Sequence, residues 1–238
     1  MRLDLIVSER LGVSRTRAQN VIKTGGVSLR GEILDKPSLD IDPDPDLAIT
    51  DTLRYASLGG VKMEHALDFF HLDIRDKVCL DVGAANGGFT DCLVKKAAKE
   101  VDALDLNIAF PAHLLSDKRV IIHDKTNVKS VGDLFSKDKF DLITVDLSFI
   151  SLIGLMPLFY PLIKKEGALL LLFKPQFEVG RKFLPKSGIV RDKKAIDKAL
   201  ASVIAAAENV GFKMIGHCPV PDIFPDKNKE RTILFIKQ

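Results

Sequence analysis

Four charged side chains stand where strands or helices begin or end, and together they could carry out acid–base chemistry. Lys62 begins a helical segment, Asp146 and Lys174 directly follow strand candidates, and Glu230 precedes the last apolar run. A desolvated lysine crowded by a second lysine can lose its proton and act as a base on a poor nucleophile such as a hydroxyl group. With Lys174 as that base, Asp146 would orient it, and Glu230 would position the second lysine or the substrate. Taken singly, each is more often a solvated strand end.

A glycine-rich turn with the sequence DVGAANGGFTD, at residues 81–91, joins a strand candidate to a helical segment and could bind a ligand. Glycines let a ligand approach the backbone, and the helix that follows offers free N–H groups. A P-loop is excluded because the turn lacks the Gly-Lys-Ser/Thr ending, and a dinucleotide turn matches poorly because Ala85 stands two positions after Gly83. An adenosyl ligand without a pyrophosphate remains, with Asp105 able to accept both ribose hydroxyls. The alternative is a tight connection that binds nothing.

Apolar segments of strand length alternate with helical segments after residue 59. The strand candidates are Val78–Val82, Glu100–Leu104, Val120–Ile122, Phe140–Val145, Ala168–Phe173, Lys213–Cys218 and Thr232–Ile236. Helical segments include residues 61–70, 89–98 and 193–210. This alternation predicts an α/β fold with a buried, mostly parallel sheet and helices on both faces. If the strand order permits, the charged residues and the glycine turn meet at the edge formed by the carboxyl ends of the strands.

The first 51 residues follow a different pattern and have a polarised charge. Two short helices, the second capped by Ser14, precede a hairpin at residues 27–34, which predicts a small α+β module. Residues 1–36 hold seven Arg or Lys against four acids, whereas residues 37–51 hold five Asp and no base. The basic half of the module is therefore the part suited to an anionic partner.

A basic helix face beside a hairpin suits an RNA backbone, which rewards fixed positive charge through counterion release. Helical spacing places Arg15, Gln19 and Lys23 on one outer face of the second helix. The candidates for RNA contact, one of them in a basic loop after the fifth predicted strand, are Arg10, Arg15, Arg17, Gln19, Lys23, Arg30 and Arg181. The alternative is a helix face that is only solvated.

Length and composition limit the class of protein. The chain has 238 residues, of which 46% are hydrophobic and 28% charged, with a net charge of +3, so it should be globular with an ample core. Its three scattered cysteines, Cys79, Cys92 and Cys218, predict buried thiols in a reducing cytoplasm. We expect no signal peptide, because charges interrupt the first ten residues, and no membrane span, because the longest apolar stretch, 150–163, is too short. No His or Cys spacing indicates a metal site, and none is predicted.

Motifs spread over nearly the whole chain resemble those of the TlyA family. In the N-terminal module, motifs that begin at Arg2, Ser14 and Gly31 occur in an order similar to the RNA-binding domain first met in ribosomal small-subunit protein "S-four". The remaining motifs that resemble the family are residues 57–67, 81–92, 141–151, 174–178 and 188–192.

The resemblance implies an RNA-binding domain at residues 1–51, a linker at 52–61 and an FtsJ-like methyltransferase domain at 62–238, with Pro43-Asp-Pro45 in the exit strand of the first domain. It implies methyl transfer from S-adenosylmethionine to the 2′-oxygen of a ribose, usually a cytidine's, in ribosomal RNA. The resemblance makes a catalytic tetrad of Lys62, Asp146, Lys174 and Glu230. It places the cofactor near Asp81, Gly83, Ala85, Gly87, Gly88, Phe89, Asp105, Leu106, Asp124 and Asp146.

Some positions depart from the family pattern. Leu58 replaces the usual Arg, and the usual Gly is missing after Asp105. Residues 123–127 replace a Glu-Arg-Thr-Asn run, and residues 227–230 keep the Asn and Glu without the leading Gly. These departures leave open a non-catalytic RNA-binding protein on the same fold. A membrane-lytic protein, suggested by the name hemolysin that the family has carried, is opposed by the absence of a spanning segment.

Overall fold

The computed structural model describes residues 1–42, 46–221 and 227–238. The exit strand predicted at Pro43-Asp-Pro45 lies outside these residues. Within them the strands form two separate sheets, one of three strands in a small N-terminal module and one of seven strands in a larger α/β unit.

The N-terminal module packs two helices against a three-stranded antiparallel sheet. Its elements are α1 (Leu3–Leu11), α2 (Arg15–Lys23), β1 (Val27–Leu29), β2 (Glu32–Ile33) and β3 (Leu47–Ile49), with the strands in the order β2-β1-β3. The Ser14 side chain accepts a hydrogen bond from the Arg17 N–H and caps α2, as predicted. The hairpin turns at Arg30 and Gly31, which both have positive φ, and this is the requirement of a two-residue turn between twisted strands.

The larger unit is a seven-stranded sheet. Its strands are β4 (Val78–Val82), β5 (Glu100–Leu104), β6 (Val120–His123), β7 (Phe140–Val145), β8 (Ile163–Phe173), β9 (Phe212–Pro219) and β10 (Arg231–Lys237). The helices are α3 (Gly59–Phe69), α4 (Gly88–Lys95), α5 (Ala112–Leu115), α6 (Val131–Leu134), α7 (Met156–Phe159), α8 (Pro175–Glu178) and α9 (Lys193–Glu208). Short 3-10 turns lie at Val128–Ser130, Ile153–Leu155, Tyr160–Leu162 and Arg181–Phe183.

The central strands read as continuous apolar runs because helices cover both faces of the sheet. Along β8, Leu169, Leu171 and Phe173 face the layer that contains α9, whereas Leu170 and Leu172 face the layer that contains α3 and α4. The three cysteines are free and buried, as predicted. Among the described residues, no helix has the length and apolar character needed to cross a bilayer.

The strand order is β6-β5-β4-β7-β8-β10-β9, with parallel pairing from β6 to β8 and antiparallel pairing of β10 with both neighbours. Because β10 runs against β8, its first residue lies beside the last residue of β8: Arg231 is opposite Phe173. Glu230 therefore stands next to Lys174 at the carboxyl edge of the sheet. The sheet is mostly parallel, as predicted, and this one reversal brings the last charged residue to the edge.

Candidate active site

The glycine turn after β4 is shaped by close contacts with the neighbouring strand and helices. Gly83 has φ +90°, and a Cβ added there would meet the Asp146 carbonyl oxygen at 2.3 Å. Gly87, with φ +81°, packs against the side chains of Phe110 and Leu114. Only glycine satisfies both the backbone conformation and the lack of space at these two positions.

Gly88 lies where α4 crosses the start of α3. A Cβ at Gly88 would lie 2.2 Å from Ser57 Oγ, 2.9 Å from the Gly60 nitrogen and 3.1 Å from the Gly59 Cα. The three glycines thus let two helix starts touch backbone to backbone. The sequence predicts Gly88 as a residue that lets a ligand approach, and only the Gly59-Gly60 pair at the start of α3 could have indicated this packing role.

Asp81 lies at the bottom of the turn and is fully buried. Thr90 donates a 2.6 Å hydrogen bond to Oδ2 of Asp81, and Thr144 donates a 3.1 Å hydrogen bond to its Oδ1. Burial raises the pKa of Asp81 to about 6, although both hydroxyls favour its charged form. Both carboxylate oxygens are therefore used to join β4 to α4 and β7.

The adenosine side predicted from the second strand is built around Asp105. Its carboxylate accepts hydrogen bonds from the Ala85 and Asn107 N–H groups, at 3.1 and 2.9 Å. The exposed Asp124 accepts a 2.8 Å bond from the N–H of Ile108 in the same loop, and Leu106 is also exposed. The Asp105 carboxylate thus fixes the glycine turn against the loop after β5.

Phe89 differs from these residues, because its side chain is buried in the core and faces Gly59. Its ring packs between the sheet and α3 with the apolar residues of that layer. The contact that Phe89 offers to a ligand in the turn is therefore its backbone, at the first turn of α4.

The four charged residues at the sheet edge form two ion pairs. Lys62 Nζ donates to Glu230 Oε2 at 2.6 Å, although 168 residues separate them in sequence. Lys174 Nζ lies 2.6 Å from Asp146 Oδ1 and donates a 3.2 Å hydrogen bond to Ser148 Oγ. All four side chains are mostly buried, which strengthens each charge interaction relative to a solvated pair.

A cleft of about 400 Å³ opens beside these pairs. Three of the four residues, Lys62, Asp146 and Glu230, line it, and Lys174 stands behind Asp146. The other lining residues come from α2, the segment before α3 and its first residue, the glycine turn, α8 and the two ends of the loop before β10: Thr16, Asn20, Ser57, Leu58, Gly59, Asn86, Gln176, Val220, Pro221, Lys227 and Asn228. The cleft therefore joins the glycine turn, the ion pairs and the N-terminal module.

Two buried oxygens in this cleft lack an aligned hydrogen bond. Asp146 Oδ1 is close to Lys174 Nζ but off the donor axis, so the contact is an ion pair without hydrogen-bond geometry, and Gln176 Oε1 has no partner among the described residues. Buried acceptors usually find a donor, so both are suited to a hydroxyl or amino group of a bound molecule. Sequence reasoning missed Gln176, although it lies in the Lys174-Pro-Gln motif.

The loop that follows β7 is anchored by Glu178. Its carboxylate accepts a 2.7 Å hydrogen bond from Ser151 Oγ and a 2.9 Å bond from the Leu152 N–H. Burial raises the pKa of Glu178, whereas these two donors lower it in part. These bonds hold the segment after β7 against α8.

The predicted outer face of α2 requires correction. Arg15 Nε and Gln19 Nε2 both donate to Asp4 Oδ2, at 3.0 and 2.7 Å, and so join α2 to α1. Arg2 contributes the largest effect on Asp4, and together these donors hold the pKa of the buried carboxyl well below its usual range. Helical spacing places Arg15 and Gln19 on one face, but α1 covers part of that face.

Arg17, also predicted to contact RNA, holds the segment before α3. Its Nη1 donates to the carbonyls of Tyr55 and Ala56 at 2.8 and 2.9 Å, and Nη2 lies 2.7 Å from Asp51 Oδ2. From the other side, the buried Asp91 of α4 accepts a 2.7 Å bond from the Ala56 N–H. The segment predicted as a linker is thus fixed between the module and α4, and α3 begins inside it at Gly59.

The remaining RNA candidates lie on the surface of the two units. Arg30 is exposed at the tip of the hairpin, and Arg181 is exposed in the 3-10 turn after α8. Arg10 and Lys23, in the last turns of α1 and α2, each interact with other groups of the protein. Among the described residues, no group of three or more His, Cys, Asp or Glu could hold a metal ion.

In the seven-stranded sheet, five parallel strands are followed by an antiparallel pair, and a glycine-rich turn follows β4, the first of these strands in the sequence. This arrangement is a Rossmann-like methyltransferase fold. The chain belongs to the FtsJ-like methyltransferase family, whose model matches residues 55–238.

Some of the similar proteins are named as rRNA methyltransferases and others as hemolysins. The chain is 35% identical to the 23S rRNA (cytidine-2′-O)-methyltransferase TlyA of Campylobacter jejuni, with 89% of this chain and 90% of that protein covered. It is 34% identical to Hemolysin A of Brachyspira hyodysenteriae, with 93% of each covered. A solved structure from Streptococcus thermophilus, which carries a hemolysin name, has 32% identity and a TM-score of 0.78 and covers 100% of this chain and 88% of that one. The resemblance to the TlyA family is confirmed.

Proposed function

We propose that this protein transfers a methyl group from S-adenosylmethionine to the 2′-oxygen of a ribose, that of a cytidine, in ribosomal RNA. The observation that carries the proposal is the pair of lysine–carboxylate contacts at one cleft beside the glycine turn. The relative named as a 23S rRNA (cytidine-2′-O)-methyltransferase supports the choice of acceptor. The reaction belongs in the cytoplasm, where ribosomal RNA is found.

S-adenosylmethionine fits the residues around the turn. Asp105 and the exposed Leu106 and Asp124 are suited to the adenosine, and Gly83 lets the turn pack directly against the backbone of Asp146. Gln176 Oε1, which has no hydrogen-bond partner among the described residues, and Asp146 Oδ1, which has an ion pair without hydrogen-bond geometry, are suited to donors of a bound molecule. When bound, the cofactor supplies an electrophilic methyl group.

The tetrad residues prepare the acceptor hydroxyl. One of the two lysines, when neutral, accepts the proton of the ribose hydroxyl. The other lysine stabilises the negative charge that develops on the oxygen. Asp146 holds Lys174, with Ser148 as a further partner, and Glu230 holds Lys62. Lys62, Asp146 and Glu230 line the same cleft, and Lys174 is held against Asp146, so both pairs contribute to one site.

Ribosomal RNA from cells with and without the gene provides the direct test. Mass-spectrometric mapping of ribose methylation should reveal one or more 2′-O-methylcytidines that are lost with the gene and restored by the purified protein. Identical methylation in both RNAs would contradict the proposal. Isothermal titration distinguishes this function from the alternative. A protein that binds rRNA but shows no heat of binding with S-adenosylmethionine would be a non-catalytic RNA-binding protein.

A further inference from the structure

A second concave site lies beside the active-site cleft, between the segment before α9 and the start of β10. This pocket of about 570 Å³ has a strongly basic lining. Its charged residues are Arg191, Lys193, Lys227, Lys229 and Arg231, with Asp197 as the one carboxylate among the described lining residues. We call it the basic pocket.

The Asn228 side chain links two segments that are distant in sequence and that together form the basic pocket. Its Oδ1 accepts a 2.8 Å hydrogen bond from the Val190 N–H, and its Nδ2 donates a 2.8 Å bond to the Gly188 carbonyl. These bonds join the segment before α9 to the segment before β10. The cations that follow Val190 and those that flank Asn228 therefore share one concave surface.

Much of this positive charge is not neutralised inside the protein. Within the described ranges, Arg191, Lys193 and Lys227 form no ion pair, and Asp192 is used as the cap of α9, where it accepts from the Ala195 N–H. Arg231 Nη1 lies 3.1 Å from His217 Nδ1. Burial, with Arg231 as a smaller cause, lowers the pKa of His217, so the neutral ring accepts this hydrogen bond and leaves the Arg231 charge in place.

The basic pocket adjoins the active-site cleft. Lys227 lines both, and Arg231 directly follows Glu230 of the tetrad. On the basis of the proposed function, we propose that the basic pocket binds backbone phosphate of the same RNA strand that places its ribose in the cleft. Fixed cations in a concavity suit a phosphate, and contacts of this kind set the register of a strand without reading its bases.

The test compares two double variants with the same change of charge. Arg191→Gln with Lys193→Gln removes two cations from the basic pocket, and both side chains are exposed, so folding should be kept. Lys118→Gln with Lys137→Gln removes two exposed cations that precede β6 and β7, at the opposite edge of the sheet. Binding of a ribosomal RNA transcript is measured between 50 and 400 mM salt, with S-adenosylhomocysteine present to prevent turnover.

We expect the pocket variant to lower the slope of log affinity against log salt by about 1.5, and its affinity in 100 mM salt to fall roughly 20-fold, as for two lost phosphate contacts. In methylation assays its KM for RNA should rise while kcat stays near that of the parent. Equal slopes and affinities for the two double variants would overturn the proposal, as would a loss that appears in kcat alone. Salt-dependent RNA binding that is lost in the pocket variant, combined with no methyl transfer by the parent protein, would reject the proposed function but keep the basic pocket.

Discussion

Lys174 forms an ion pair with Asp146 that cannot be predicted from the residues next to it in the sequence. Its position directly after β8 follows from the apolar run and from Pro175, which keeps it in extended backbone. Its contact with Asp146 follows from the parallel pairing of β7 with β8, which aligns the ends of the two strands. The pairing of Lys62 with Glu230 depends further on the reversal of β10.

Replacement of Lys174 by Ala should abolish methyl transfer, with a loss of about 100- to 10,000-fold, because a positioned acid–base group usually contributes that much. Affinity for S-adenosylhomocysteine should remain within a few-fold of the parent, measured by isothermal titration. Lys164→Ala is the matched control, since Lys164 lies at the other end of the same strand and pairs with Asp141. Activity of the Lys174 variant equal to that of the control would remove this lysine from the tetrad.

Asp81 gives a prediction about pH. Because its pKa is raised to about 6 by burial, the folded protein holds this proton more tightly than the unfolded chain does. The contribution of Asp81 to stability is thus full below about pH 4 and is lost as pH rises through 6, by about 3 kcal/mol at pH 7. Relative to Asp81→Asn, which cannot ionise, the wild type should lose about this much free energy of unfolding between pH 4 and 7, as measured by urea denaturation.

Asp141→Asn provides the control with the opposite sign. Burial would raise the pKa of Asp141, but the Val78 N–H and Lys164 lower it overall. The free energy of unfolding of the wild type, relative to that of the Asp141 variant, should therefore stay constant or increase as pH rises from 4 to 7. A gap for Asp81→Asn that stays constant over this range would show that Asp81 does not titrate there.

At the scale of elements, the sequence predicts the central strands well and the start of β8 poorly. The predicted limits of β4, β5 and β7 agree with the structure residue for residue. Helices cover both faces of these strands, so each strand coincides with its apolar run. β8 begins five residues before the predicted Ala168, at Ile163. Its pairing skips from Ile163 to Ala168, and Glu166 has φ +62°, so the charged residues between them bulge out of the ladder.

The outer face of α2 was harder to predict for a related reason. Helical spacing specifies which residues share a face, but it cannot say which other element covers that face. Here α1 presents a buried carboxylate, and the polar residues of α2 turn toward it. Polar contacts between helices need no apolar periodicity, so this signal is weak in a single sequence.

Gly88→Ala tests the contact between α3 and α4. The added methyl would meet the backbone of Gly59 and Gly60 as well as Ser57, and overpacking of this kind usually costs about 1–3 kcal/mol. Gly132→Ala, inside α6, is the control, since its Cβ would have no heavy atom within 4 Å, and Ala favours helix over Gly. Thermal and urea unfolding should show the first variant destabilised and the second unchanged or stabilised. Equal stability of the two would mean that the helices can move apart at no cost.

At the scale of the whole molecule, the N-terminal module forms part of the candidate active-site cleft, because Thr16 and Asn20 of α2 line it. Arg17 fixes the segment before α3 from one side and Asp91 fixes it from the other, so the module has a defined place against the larger unit. The sequence indicates two modules by composition and charge. The hydrogen bonds of Arg17 with the Tyr55 and Ala56 carbonyls cannot be predicted in the same way, because backbone acceptors leave no pattern in the sequence.

Asn20 gives the prediction that follows from this arrangement. It lies on α2, lines the cleft that holds Lys62 and Glu230, and has no hydrogen bond from its side chain among the described residues. If the RNA strand enters between the two units, the Asn20 amide can bond to it, and Asn20→Ala should raise KM for RNA about 3- to 10-fold, the effect of one lost hydrogen bond. Affinity for the cofactor and the kcat of the saturated enzyme should stay near those of the parent.

The exposed Asn209 at the end of α9 supplies the matched control for this measurement. Asn209→Ala removes the same amide far from the cleft and should leave KM unchanged. If both variants keep the KM of the parent, the module does not contact the substrate at α2, and its contribution to RNA binding must then come from other surfaces such as the hairpin tip at Arg30. A shift confined to Asn20 would instead mean that the RNA contacts both units while its ribose lies at the tetrad, which a flexible attachment of the module could not provide.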